Sequence, residues 1–171
     1  VGCDFAPGYG SAARYIAHTT WSIGLDLRSL RGFDQVTIME VMGRHTGWLA
    51  GAASLARYYT HEPPDIITLP EGPVDPEEVV ARIAQVFEEQ QTCVAVVAEG
   101  TRNRAGRYWA ELAGDAGLDP SGQRVFSMAA GAGAYLVEQV QRTLKLRCRH
   151  VKPNSAQRSA HLLRSPTDRF L

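Results

Sequence analysis

Two short runs constrain this chain more than anything else in it. Val36-Thr-Ile-Met-Glu-Val-Met42 and Cys93-Val-Ala-Val-Val-Ala98 are almost continuously apolar and rich in β-branched residues. A strand with one wet face alternates apolar and polar residues, whereas runs like these suit parallel strands covered on both faces. Parallel strands need crossover connections, usually helices, and the sequence between the runs supplies them. Residues 47–59 carry a stripe of Trp48, Leu49, Ala52, Ala53 and Ala56, small enough in places to lie close to a sheet. Asp75, Pro76 and Glu78 mark the start of another helix, with Val79, Ile83, Val86 and Phe87 along one face. Upstream, Ser11 is expected to cap a helix that runs through Ala12, Ile16, Ile23 and Leu27 to about Ser29. Downstream, Leu136, Val140 and Leu144 predict a helix across 130–145. Asp65-Ile-Ile-Thr-Leu69 and the less buried stretch 146–151 add two further strands. The expectation is one α/β domain of three layers with a mostly parallel, Rossmann-like sheet.

The chain's 171 residues suffice for one domain with a closed core. Hydrophobic residues at 44% and charged residues at 21% argue against disorder. Lys plus Arg and Asp plus Glu are both 18, and a net charge of zero argues against nucleic acid as a main partner. Lys145 and Lys152 are the only lysines; a coding bias explains the bulk excess of arginine, so only placed arginines count. Cys3, Cys93 and Cys148 are odd in number and lack CxxC spacing, which fits a reducing cytoplasm better than a disulfide framework or a zinc site. The apolar runs are too short for a membrane span. Residues 102–127 are rich in Gly, Asp, Arg and Ser and read equally as a lid or interface segment, or as a short helix near 108–113 within ordinary loop.

Ligands of parallel α/β sheets gather beyond the carboxyl ends of the strands. Three places there carry suitable chemistry. Met42-Gly43-Arg44-His45-Thr46-Gly47 follows a strand and precedes a helix, with Gly43 for close backbone approach and Arg44 for a fixed positive fork, which suits a phosphate or polyol; a plain strand-to-helix turn is the structural alternative. Glu99 at the end of the Cys93 strand can accept hydrogen bonds from hydroxyls, or pair with Arg102. Arg147 and Arg149 share one face of a strand and precede Gln157 and Arg158; edge protection is their simpler role. Gly8-Tyr-Gly10-Ser-Ala-Ala13 also matches the G-x-G-x-x-A form of a dinucleotide loop, although a tight turn into a packed helix explains it as well.

Taken in order, Pro7-Gly-Tyr-Gly-Ser-Ala-Ala13, Glu40-Val-Met-Gly-Arg-His-Thr-Gly-Trp48, Leu69-Pro-Glu71, Ala98-Glu-Gly100 and Gln157-Arg158 resemble the 6-phosphofructokinase family. Trp48 and the Gly-Tyr-Gly-Ser-Ala-Ala stretch resemble its pyrophosphate-dependent branch and close ATP-using relatives. The resemblance implies phosphoryl transfer from magnesium-bound pyrophosphate or ATP to the 1-hydroxyl of fructose 6-phosphate, a glycolytic kinase reaction. It implies that Met42, Gly43 and Arg44 form the sugar-phosphate and transfer-site motif, with Arg44 catalytic. Glu99 would hold sugar hydroxyls, and Arg149 and Arg158 would grip the 6-phosphate. One such arginine is lent by a neighbouring subunit in the family, so a cytoplasmic homo-oligomer is expected.

The departures matter as much. Gln35, nine before Arg44, stands where many relatives have a phosphate-gripping Arg, and Ser155 stands where some have His. No Thr-Ile-Asp-Asn-Asp run, the family's catalytic motif, occurs in the sequence, and its first residue is Val1 rather than Met. The expectation is the sugar-phosphate-binding half of such an enzyme, inactive alone, with the magnesium ligands elsewhere. A non-catalytic phosphosugar-binding or assembly module is the alternative of a different class. A dinucleotide-binding domain built on Gly8, Gly10 and Ala13 is a third reading, and it needs an acid at a strand end that Asp26 and Asp34 do not supply.

Overall fold

The computed structural model describes residues 8–30, 32–57, 62–114, 117–118, 124–125 and 131–169. In chain order the elements are α1 (Tyr9–Ser29), β1 (Val36–Val41), α2 (Trp48–Ala52), β2 (Ile66–Thr68), α3 (Pro76–Gln90), β3 (Cys93–Ala98), α4 (Trp109–Leu112), β4 (Gly117–Leu118), β5 (Arg124–Val125), α5 (Ala132–Leu144), β6 (Cys148–Val151) and α6 (Ala156–Ser159). Four strands form one sheet in the order β2-β3-β1-β6, and every pair in it is parallel. The two apolar runs, β1 and β3, are its central strands and are buried throughout. β6 is an edge and only half-buried, as its weaker apolarity predicts.

Alternation through the sheet divides the core into two layers. Val36 and Ile38 of β1 and Ala95 and Val97 of β3 pack with Val79 and Ile83 of α3 and Leu136 and Val140 of α5. Met39, Val41, Val94 and Val96 face the opposite way, onto Ile16, Ile23 and Leu27 of α1 and Ala50 of α2. The result is the expected three-layer arrangement, with side chains of period two in the strands meeting helical stripes on both faces.

The local differences from expectation have visible causes. α1 begins at Tyr9, so Ser11 lies inside its first turn and is not the cap. The helix expected over 47–59 is α2 followed by a tighter 3-10 turn at Ala53–Ala56, and Trp48 is 70% exposed while Ala50, Ala52, Ala53 and Ala56 are buried. Residues 58–61 lie outside the described residues. Within 102–127, Arg102 bridges to Tyr108, and α4 sinks Trp109 completely into the core, its Nε1 donating to the Val74 carbonyl at 3.1 Å. β4 and β5 form a separate antiparallel pair. The remainder of that stretch is outside the described residues.

Burial pushes both described cysteine thiols up, Cys148 to about 12, and both are free. Among the described residues no helix is long and apolar enough to cross a membrane.

Candidate functional site

β1 and β3 run in parallel register, Val41 opposite Ala98, so the residues that follow them emerge side by side. The backbone sews the two ends together: the Glu99 amide donates to the Val41 carbonyl at 2.9 Å and the Gly100 amide to the Gly43 carbonyl at 3.1 Å. Contact there is close enough to demand glycine on both sides. A Cβ on Gly100 would lie 2.0 Å from the Arg44 carbonyl oxygen, and Gly43, at φ +142°, would meet the Thr46 carbonyl at 2.5 Å. The Gly43 amide also points at Glu99 Oε1, a long contact of 3.4 Å. Met42, Gly43, Arg44 and Glu99 are therefore neighbours beyond the carboxyl ends of the two central strands. Arg102 does not pair with Glu99; its guanidinium stacks over the Tyr108 ring at 4.2 Å and bonds the Tyr108 hydroxyl.

The turn after β6 joins this group through Gln157. That side chain is 2% exposed; its Oε1 accepts the Met42 amide at 3.2 Å and its Nε2 donates to the Asn154 carbonyl at 2.8 Å. Arg158 follows it on α6 and is exposed. Gln35 accepts the Arg147 amide at 2.9 Å and thus ties β6 to the start of β1. Ser155 is exposed just before α6.

Arg149 lies apart from this group. It is in register with Thr37, five residues before Met42, roughly 16 Å along the strand at about 3.3 Å per residue. Its guanidinium sits 2.5 Å from Asp26 and 3.5 Å from Asp34 on the α1 side of the sheet.

Three carboxylates outside the expected set organise the surroundings. Glu71, after β2, accepts the Gly47 amide with both oxygens, at 2.8 and 3.0 Å, and so occupies the start of α2. Glu40 is fully buried two residues before Met42 and faces the α5 side. It accepts the Gly133 amide at 2.8 Å, Lys152 Nζ lies 2.8 Å from Oε1, and His150 Nε2 lies 3.5 Å from Oε2. Burial alone pushes this carboxyl up, but the contacts from His150, Lys152 and Gly133 outweigh it and hold the group below its ordinary value. The sequence held one signal for it: a Glu within a strand buried on both faces must find partners. Asp168, from the C-terminal segment, accepts the amides of Gly8 and Ser11 at 2.8 Å and the hydroxyls of Ser11 and Ser165 at 2.6 and 2.8 Å. The first turn of α1 is thus filled by a carboxylate of the same chain, which explains the glycine-serine motif without a dinucleotide.

A cavity of about 510 Å³ lies at the opposite, amino end of β2 and β3, beside Gly24, Arg28 and Asp65. Burial raises the Asp65 carboxyl, whose oxygens are held by the Val94 amide at 2.7 Å and by Gln90 at 3.3 Å. Those bonds join β2, β3 and α3, which is structural work.

The family model for phosphofructokinase matches residues 1–171. The chain is 36% identical over 166 residues to a pyrophosphate–fructose 6-phosphate 1-phosphotransferase of Xanthomonas campestris pv. campestris, covering 96% of this chain and 38% of that protein. It is 32% identical over 146 residues to an ATP-dependent 6-phosphofructokinase of Corynebacterium efficiens, covering 84% of this chain and 38% of the relative. Among solved structures, a pyrophosphate-dependent phosphofructokinase from Marinobacter aquaeolei superposes with a TM-score of 0.76 at 31% identity, over 95% of this chain and 36% of that one. The chain thus spans less than two-fifths of the length of these relatives.

Proposed function

From the premise that the chain belongs to the phosphofructokinase family, we propose that it provides the sugar-phosphate side of a 6-phosphofructokinase. The reaction is transfer of a phosphoryl group from pyrophosphate or ATP to the 1-hydroxyl of fructose 6-phosphate. The observation that carries this reading is the convergence of Met42, Gly43, Arg44 and Glu99 at the carboxyl end of β1 and β3, with Gln157 fastening the Arg158 turn to Met42.

The chemistry follows from residue type. Gly43 lets the substrate approach backbone, and the Arg44 guanidinium stabilises charge that develops on the transferred group. Glu99 accepts sugar hydroxyls. Arg158 is exposed at the same end of the sheet and grips the 6-phosphate with charge-assisted hydrogen bonds. Arg149, balanced by Asp26 and Asp34 on the α1 side of the sheet, serves the 6-phosphate of a neighbouring copy in a cytoplasmic homo-oligomer. Magnesium would neutralise the donor phosphates; among the described residues no group of three or more His, Cys, Asp or Glu could hold a metal ion.

Calorimetric titration of fructose 6-phosphate and plain fructose tests the reading. A charge-assisted contact contributes about 1.5 to 3 kcal/mol, so Arg158→Ala is expected to weaken fructose 6-phosphate binding by roughly 10- to 150-fold and leave fructose almost unchanged. The 171-residue chain alone, which has no Thr-Ile-Asp-Asn-Asp run, is expected to bind without turnover with either donor. Equal losses for both sugars would overturn the role of Arg158, and turnover by the purified chain would overturn the division of labour.

A further inference from the structure

We propose that Glu40 and Lys152 form a positioning pair that sets where the Arg158 turn sits against the Met42-Gly43-Arg44 loop. The inference rests on the sugar-phosphate reading above and deepens it.

The turn spanning 152–158 is fastened to β1 and its extension at both ends. Lys152 begins it and lies on Glu40, Nζ to Oε1 2.8 Å. Gln157 ends it and accepts the Met42 amide at 3.2 Å. Glu40 and Met42 are two residues apart, so the turn is registered against one short piece of backbone. Between the fastenings Asn154 takes a left-handed φ of 54°, and its carbonyl accepts Gln157 Nε2, which keeps the turn compact. Arg158 inherits its place from this arrangement.

Charge is needed here as well as shape. Glu40 is 0% and Lys152 14% exposed at the side chain. A buried charge is tolerated only when it is matched and hydrogen-bonded. The second oxygen of Glu40 meets the Gly133 amide at the start of α5, and that helix start is shaped around the carboxylate: a Cβ at Gly131 would lie 2.7 Å from Oε1, and one at Gly133 2.9 Å from Oε2. Glu40 is thus held from the α5 side, and Lys152 comes to it. A neutral residue at 152 leaves Glu40 with His150, 3.5 Å from Oε2, as its remaining cation, a neutral residue at 40 removes the carboxylate that Lys152 lies on, and in either case the turn loses its first fastening while Gln157 keeps the second. Arg158 then shifts relative to Arg44 and its charge-assisted contact with the 6-phosphate weakens, a contact whose complete loss costs roughly 10- to 150-fold in affinity.

The test compares Lys152→Met, Lys152→Arg and Glu40→Gln in the full chain by two measurements. The first is titration with fructose 6-phosphate and with fructose. Lys152→Met is expected to weaken fructose 6-phosphate binding by roughly 10- to 100-fold, no more than loss of the Arg158 contact itself, with fructose unchanged, and Lys152→Arg to restore most of it. The second is amide hydrogen exchange, which needs no ligand. Faster exchange at the Met42 and Arg158 amides, with Val96 in the core unchanged, is expected in Lys152→Met and Glu40→Gln and not in Lys152→Arg. If Glu40→Gln fails to fold, the Met and Arg variants of Lys152 carry the comparison. Equal affinities and equal exchange in those two variants would overturn the pair. If the parent chain binds no fructose 6-phosphate, the sugar-phosphate reading falls and the exchange measurement alone decides the positioning.

Discussion

At the scale of single residues, the arrangement is governed by where each carboxylate finds its donors. Asp168 gathers two amides and two hydroxyls at the start of α1. The Ser11 hydroxyl, the Gly8 amide and the Ser165 hydroxyl hold its carboxyl well below the ordinary value of 3.8. A carboxyl whose pKa is depressed by folding contributes stability that is fully present above its unfolded pKa and is lost as pH falls through the folded one. Between about pH 5 and about pH 2 the parent chain should therefore lose stability more steeply than Asp168→Asn, as read by urea midpoints across that range. Parallel pH profiles would remove this role. Asp168 was not legible beforehand because its α1 partners Gly8 and Ser11 lie more than 150 positions away in sequence; Glu40 was partly legible, since its burial could be read but Lys152 and Gly133 could not.

At the scale of elements, the strongest sequence signals gave the most faithful elements. α3 starts at Pro76 after Asp75 and buries Val79, Ile83 and Val86 of the face its spacing predicts, while Phe87, expected on the same face, is half-buried. α5 buries Leu136 and Val140 completely. Truncating Leu136 to Ala removes atoms that pack against both α3 and the sheet, and a cavity there should cost about 2 to 5 kcal/mol. Leu55→Ala, at a position 65% exposed in the 3-10 turn, should stay within about 0.5 kcal/mol. Chemical denaturation of the two variants checks the contrast, and similar losses would contradict the core assignment. Trp48 misled the periodicity argument because a helical stripe records which residues share a face, whereas burial depends on what that face meets. The α2 stripe meets β3 through its alanines and leaves the indole in solvent.

At the scale of the whole molecule, one sheet serves two cores, and the two should not melt separately. Ile83→Ala on the α3 side and Ile16→Ala on the α1 side both remove apolar contact with the same central strands. Each is expected to lower a single unfolding transition, with coincident fluorescence and circular dichroism curves; two resolved transitions in either variant would show independent layers. The parallel sheet, its helical crossovers and the strand-end position of Met42, Gly43, Arg44 and Glu99 were all determined by the sequence, because apolar periodicity and glycine placement act over a few neighbouring residues. Arg149 and Arg158 show the limit of that reach. Their spacing of nine positions is plain in the sequence, yet β6 pairs with β1 in a register that sets Arg149 opposite Thr37 and beside Asp26 and Asp34, while the turn after it lays Gln157, the residue before Arg158, against Met42. Strand order, register and the partners of buried charges are relations between segments far apart in the chain, and only their packing together decides them.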